Sequence, residues 1–178
     1  MKTCLTTLLL LIAATTVCQQ VKNTSYTNQA GEKLLRLEFL LPLNIKSAWE
    51  LFTKNEKLKT WIAPVVHIDL KTGGYMLTNY DTSKNLSDST SIRLGIVNFL
   101  DQELITLKVK LNNFFPPAVR NSDGNLQELI QFRKTGENQT RIISTMVGFG
   151  TGKEWNDTYN FFVKGNIWTY EQLLKHYR

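Results

Sequence analysis

A chain of 178 residues that is 42% hydrophobic carries enough apolar material for one domain with a sizeable core. Its formal charge of +6 is scattered among acids, with no run of five or more like charges, which argues against a nucleic-acid surface. Both cysteines, Cys4 and Cys18, sit near the N-terminus, in the segment read below as a removable leader.

The chain opens with MKTCLTTLLLLIAATTVCQQ. One basic residue, Lys2, precedes a Leu-rich uncharged run from about Leu5 to Ala14, and small residues follow before Gln19. That is the layout of a secretory signal peptide over residues 1–18, and the run is short for a bilayer, which takes roughly 20 apolar residues. Thr16 and Cys18 hold the small-residue positions ahead of a cut before Gln19. A secreted or periplasmic protein with no integral membrane span after processing is expected. An uncleaved anchor and lipidation at Cys18 are the alternatives. Loss of Lys2 takes the charge from +6 to +5, and the mature chain keeps no disulfide, thiol nucleophile or cysteine metal site.

Residues 19–33 are polar and read as a flexible lead-in. LLRLEFLLPL then reads as a strand. In NIKSAWELFTKN, Ile45, Ala48, Trp49 and Phe52 recur on one face of a helix that Asn44 can cap. EKLKTW is a shorter helical piece. Six β-rich segments follow: PVVHIDL, GYMLTNY, SIRLGIVNFL, ELITLKVKL, LQELIQFRK and TRIISTMVGF, parted by turn-rich stretches. The end of the chain, from Gly152, runs without proline and sets Trp155, Tyr159, Phe162 and Val163 on one side at helical spacing. Consecutive strands with short turns pair antiparallel, and a helix with that many large side chains buries them on the sheet. The spacing predicts an α+β fold in one domain, residues 34–178.

Four motifs in this order carry a resemblance. They are IKSAWELFTKNEKLKTWIAP, IDLKTGGYMLT, GIVNFLDQELITLKV and TRIISTMVGFGTGKEW. They resemble the START/polyketide-cyclase-like (SRPBCC) superfamily, and within it the group named after an activator of a heat-shock chaperone ATPase. The likeness spans roughly residues 34–177. It implies the helix-grip fold: a curved antiparallel sheet wrapped around a long C-terminal helix, with two short helices after the first strand. It also implies a cavity between sheet and helix. Gly73 and Gly74 then mark a hairpin corner that tags the fold. The chain departs from the group at Gly165, followed by Asn166 where a Trp is usual, and in LNNFFPPAVRNSDGN, which is longer than the usual turn. Chaperone activation is not carried over, because an exported domain would not meet a cytosolic chaperone.

Chemical motifs are sparse. GFGTGK lacks the glycine spacing and the Ser or Thr of a phosphate-binding loop. The two histidines, His67 and His176, have no ligand-spaced partner, so no metal and no cofactor is expected. Glu154 and Asp157 suit the start of a helix. No nucleophile elbow occurs, and no catalytic residue is assigned. The candidate ligand-binding residues are Trp61, His67, Tyr80, Phe114, Phe115, Phe149, Trp155, Tyr159 and Phe162. Burial in a core and exposure to a cavity both suit such aromatics. Phe114 and Phe115, ahead of Pro116 and Pro117, are expected either to cover one end of the cavity or to plug the sheet edge. The helix-grip fold that the resemblance implies, with aromatics facing the sheet, favours an apolar or amphipathic small molecule as partner. An interaction protein with a filled cavity and a cyclase- or hydratase-like enzyme are the other readings. Titratable residues converging in the cavity would favour the enzyme; His67, Arg133 and Glu154 are the sequence candidates.

Overall fold

A computed structural model describes residues 20–177. The leader-like segment, the cut before Gln19 and both cysteines lie outside the described residues.

The first two strands are short: β1 (Lys22–Asn23) and β2 (Tyr26–Thr27). Both pair antiparallel with β3 (Lys33–Leu41), and Val21 is buried beside them. The segment expected to be a flexible lead-in is thus a sheet edge. Its polar sequence hid the strands because their order comes from backbone pairing on β3, not from apolar side chains. In β3 itself the alternation is plain. Leu35, Leu37, Phe39 and Leu41 point into the core, while Arg36 and Glu38 pair on the other face at 3.1 Å.

Helix α1 (Ile45–Thr53) starts where Asn44 Oδ1 accepts from the Ser47 amide at 2.9 Å. Its buried face carries Ala48, Trp49, Leu51 and Phe52. A single turn, α2 (Asn55–Leu58), follows, and Trp61 beyond it donates its indole N–H to the Leu51 carbonyl at 3.0 Å. The chain then enters β4 (Val65–Asp69), β5 (Tyr75–Asn79), β6 (Ile92–Leu100) and β7 (Leu104–Val109). A third helix, α3 (Pro117–Ser122), interrupts the long stretch expected to be a turn-like loop. Proline at its first position, where no amide hydrogen is needed, is the signal that turn-rich composition obscured. Strands β8 (Gln127–Gly136) and β9 (Gln139–Val147) and helix α4 (Lys153–Lys175) complete the chain.

All strands pair antiparallel in one curved sheet, ordered β1-β3-β9-β8-β7-β6-β5-β4, with β2 also on β3. The β3 to β4 crossover runs through α1 and α2, which cover one end of the concave face. Helix α4 lies along that face. An aromatic cluster locks this end: Phe52 meets Trp61 at 4.9 Å and Phe132 edge-on at 5.2 Å, and Phe39 meets Tyr170 of α4 at 4.9 Å.

Candidate functional site

Between the sheet and α4 lies a cavity of about 800 Å³, within the size range of small-molecule sites. Its existence follows from which positions are large. At the covered end the rings of Phe52, Trp61 and Tyr170 fill the space, with Trp61 stacked on Tyr170 at 6.1 Å. Farther along, the sheet offers mainly aliphatic and thioether side chains such as Met76, Leu94, Ile130 and Met146. Opposite them α4 presents Gly165, at which an added Cβ would meet nothing within 4 Å. The space between stays open.

One half-buried acid interrupts this apolar wall. Along β8 the inward phase is Glu128, Ile130 and Phe132, so strand alternation turns the Glu128 carboxyl into the cavity. Glu128 Oε1 accepts two hydrogen bonds, from Ser144 Oγ of β9 at 2.6 Å and from the Tyr170 hydroxyl of α4 at 2.8 Å. Ser144 pairs with Ile130 and Met146 pairs with Glu128, so the serine is the acid's diagonal neighbour on one face. Burial pushes the Glu128 carboxyl above its ordinary value, against the pull of both hydroxyl donors. Burial, and then the charge of Glu128, raise the Tyr170 phenol well above its own.

The mouth is aromatic. Phe114 (74% exposed), Trp168 (55% exposed), Phe161 and Tyr80 all line the cavity and also face solvent. Phe114 and Phe161 are 5.4 Å apart. Phe115 sits deeper, stacked on Phe162 at 5.6 Å and 9°. The loop that carries this pair is anchored at several points. Val119 is fully buried, Arg120 Nε donates to the Phe115 carbonyl at 3.1 Å, and the Trp155 indole donates to Ser122 Oγ at 3.0 Å.

Of the nine residues singled out in the sequence, Trp61, Tyr80, Phe114, Phe115 and Phe162 line the cavity. The other four do not. His67 is exposed on the outward phase of β4, with its ring 6.1 Å from Tyr75. Trp155 is buried under Gly150, where its indole leaves no room for a Cβ. Phe149 and Tyr159 pack edge-on at 5.0 Å beyond the end of the cavity, and Lys33 lies over the Tyr159 ring at 5.7 Å. Arg133 and Glu154 are exposed as well, so none of the three titratable candidates reaches the cavity. The sequence reading missed Glu128, Ser144, Tyr170 and Phe161. Glu128 was detectable from the two-residue phase it shares with Ile130 and Phe132. Among the described residues no cluster of His, Cys, Asp and Glu could hold a metal, and no helix is long and apolar enough to cross a membrane.

The curved antiparallel sheet, the long C-terminal helix and the cavity between them together make a helix-grip fold. Solved structures share it at low identity. An HSP90 activator from Plasmodium falciparum aligns with a TM-score of 0.52 at 16% identity, over 69% of this chain and 78% of its own. The Aha1 dimer from Colwellia psychrerythraea aligns at 0.54 and 12% identity, over 72% and 85%. A protein from Nitrosomonas europaea aligns at 0.57 and 21% identity, over 80% and 94%. No family model and no curated protein sequence matches the chain.

Proposed function

We propose that this chain is an exported binding protein that holds an apolar or amphipathic small molecule between its sheet and α4. The observation that carries the reading is the open cavity of about 800 Å³, walled by aliphatic and aromatic side chains with few polar groups. A filled interior would have left such a fold to act through its surface alone. Apolar space of this size instead favours an occupant, because burying apolar ligand surface contributes about 25 cal/mol per Å². Export rests on the N-terminal sequence, with processing before Gln19.

The cyclase- or hydratase-like reading is favoured by one specific feature, the Glu128–Tyr170 pair in the cavity wall. Holding a ligand needs only the space and its lining. Catalysis needs in addition a reacting group within about 3 Å of Glu128.

Native mass spectrometry of protein purified from its own host tests the binding reading. A co-purifying compound of several hundred daltons, released on denaturation, is the expected result. Ligand-free protein that also fails to take up an apolar fluorophore would overturn it.

A further inference from the structure

The cavity wall contains one acid whose hydrogen bonding is lopsided. Both donors to Glu128, Ser144 Oγ and Tyr170 OH, converge on Oε1. No described residue donates to Oε2. A carboxylate offers about four acceptor positions over its two oxygens, and one set in an apolar cavity wall with half of them unused is poised to accept from whatever fills the cavity. No counter-ion among the described residues takes them up. The other ionisable side chains lining the cavity, among the described residues, are Tyr80, Lys110 and Tyr170. Tyr170 is already bonded to Oε1, Lys110 is exposed after the end of β7, and Tyr80 is half-exposed at the mouth. A core that needed only stability would place an apolar residue at this inward position, as β8 does at Ile130 and Phe132.

We infer that the ligand is an amphipathic molecule whose head group donates a hydrogen bond, an alcohol or an amine, to Oε2 of Glu128 while its apolar body lies along the Met76, Leu94 and Ile130 wall. This rests on the reading of the cavity as a ligand site. Ser144 and Tyr170 fix the carboxyl from the far side, so its free oxygen is held in place before the ligand arrives, which reduces the ordering cost of recognition. An acceptor set in an apolar wall discriminates strongly between a head group that has an N–H or O–H and one that lacks it, because the unpaired acceptor is left without a partner.

The test is competition against a bound hydrocarbon fluorophore, diphenylhexatriene, by three chains of matched length: 1-dodecanol, 1-dodecylamine and methyl undecyl ether. In the wild-type protein the alcohol, the amine or both displace the fluorophore at least tenfold better than the ether. A gap for the amine alone identifies a cationic head, and a gap for both identifies any donor. In Glu128→Gln the amide can still accept from Ser144 and Tyr170 while turning its NH2 to the cavity, and the gap shrinks below threefold. Equal displacement by all three chains from wild-type protein would overturn the inference and leave the cavity reading standing. So would a gap that survives Glu128→Gln. Absence of any fluorophore binding to the wild type would sink the cavity reading itself. The wild-type comparison decides even if the variant folds poorly.

Discussion

At Gly73 and Gly74 two neighbouring glycines answer two different demands. Gly73 takes φ +78°, a region that costs a residue with a Cβ, and its amide donates to the Ile96 carbonyl at 2.9 Å. Gly74 is needed for space, since a Cβ there would lie 2.1 Å from the Asp69 carbonyl oxygen. The Gly74 carbonyl in turn accepts from the Ile96 amide at 2.9 Å, which ties the hairpin corner to β6 beside its bulge. Gly74→Val is therefore expected to cost about 3 kcal/mol or more and to lower the melting temperature by at least several degrees. A variant melting within a degree of the parent would refute the close approach. Glu128 supplies a second expectation. Its folded value is raised, so between about pH 4.5 and that raised value the folded state binds more protons than the unfolded chain, and stability falls as pH rises. Glutamine cannot ionise. The melting temperature of Glu128→Gln should match the wild type most closely at acid pH and gain on it steadily toward neutrality. A difference that stays flat with pH would contradict the burial account. The hairpin corner was legible in the sequence because adjacent glycines between strands have few other uses. Glu128 was passed over in favour of Arg133, which is on the opposite phase of the same strand.

Among the elements, the stretch between β7 and β8 departs most from its sequence reading. It was expected to act as one piece, either a cover or a plug, and the structure separates its two rings. Phe115 is half-buried against Phe161 and Phe162, whereas Phe114 stands mostly in solvent and touches Phe115 and Phe161 edge-on or tilted. Helix α3 anchors the base through Val119 and the Ser122–Trp155 hydrogen bond. Phe114→Ser should thus speed exchange of a bound apolar fluorophore with little change in melting temperature. Phe115→Ser should cost roughly 1–3 kcal/mol, because it removes packed ring surface. Equal thermal losses in the two variants would show that both rings serve only as core. The regular elements were easier to foresee. Strands with a steady two-residue alternation and helices with a marked apolar face announce themselves, as β3 and α1 do. β1 and β2 do not, since two residues hold too little pattern to show a period. Phe149, Trp155 and Tyr159 share a helical face or junction with Phe162, but periodicity gives the face of a helix and not the distance along it. Of these four, only Phe162 falls far enough along α4 to reach the cavity.

In the whole molecule, one sheet curves around one helix, with one aromatic cluster around Phe52, Trp61 and Tyr170 at the covered end and a second around Phe115 and Phe162. The other end is left with aliphatic walls, a helix glycine and a ring of exposed aromatics. Contiguous exposed aromatic surface is costly in a soluble domain unless it serves an entrance or a contact. Here it surrounds the way into the apolar cavity between sheet and α4. The central claim is that this space accepts an apolar or amphipathic ligand, and methyl-resolved NMR titration of the wild-type protein with 1-dodecanol tests it most directly. Saturable one-to-one shifts should appear at Met76, Ile130 and Met146, which line the cavity, and leave Val97 and Leu100, exposed on β6, unmoved. Shifts confined to Val97 and Leu100, or no saturable shift at the cavity methyls, would contradict it.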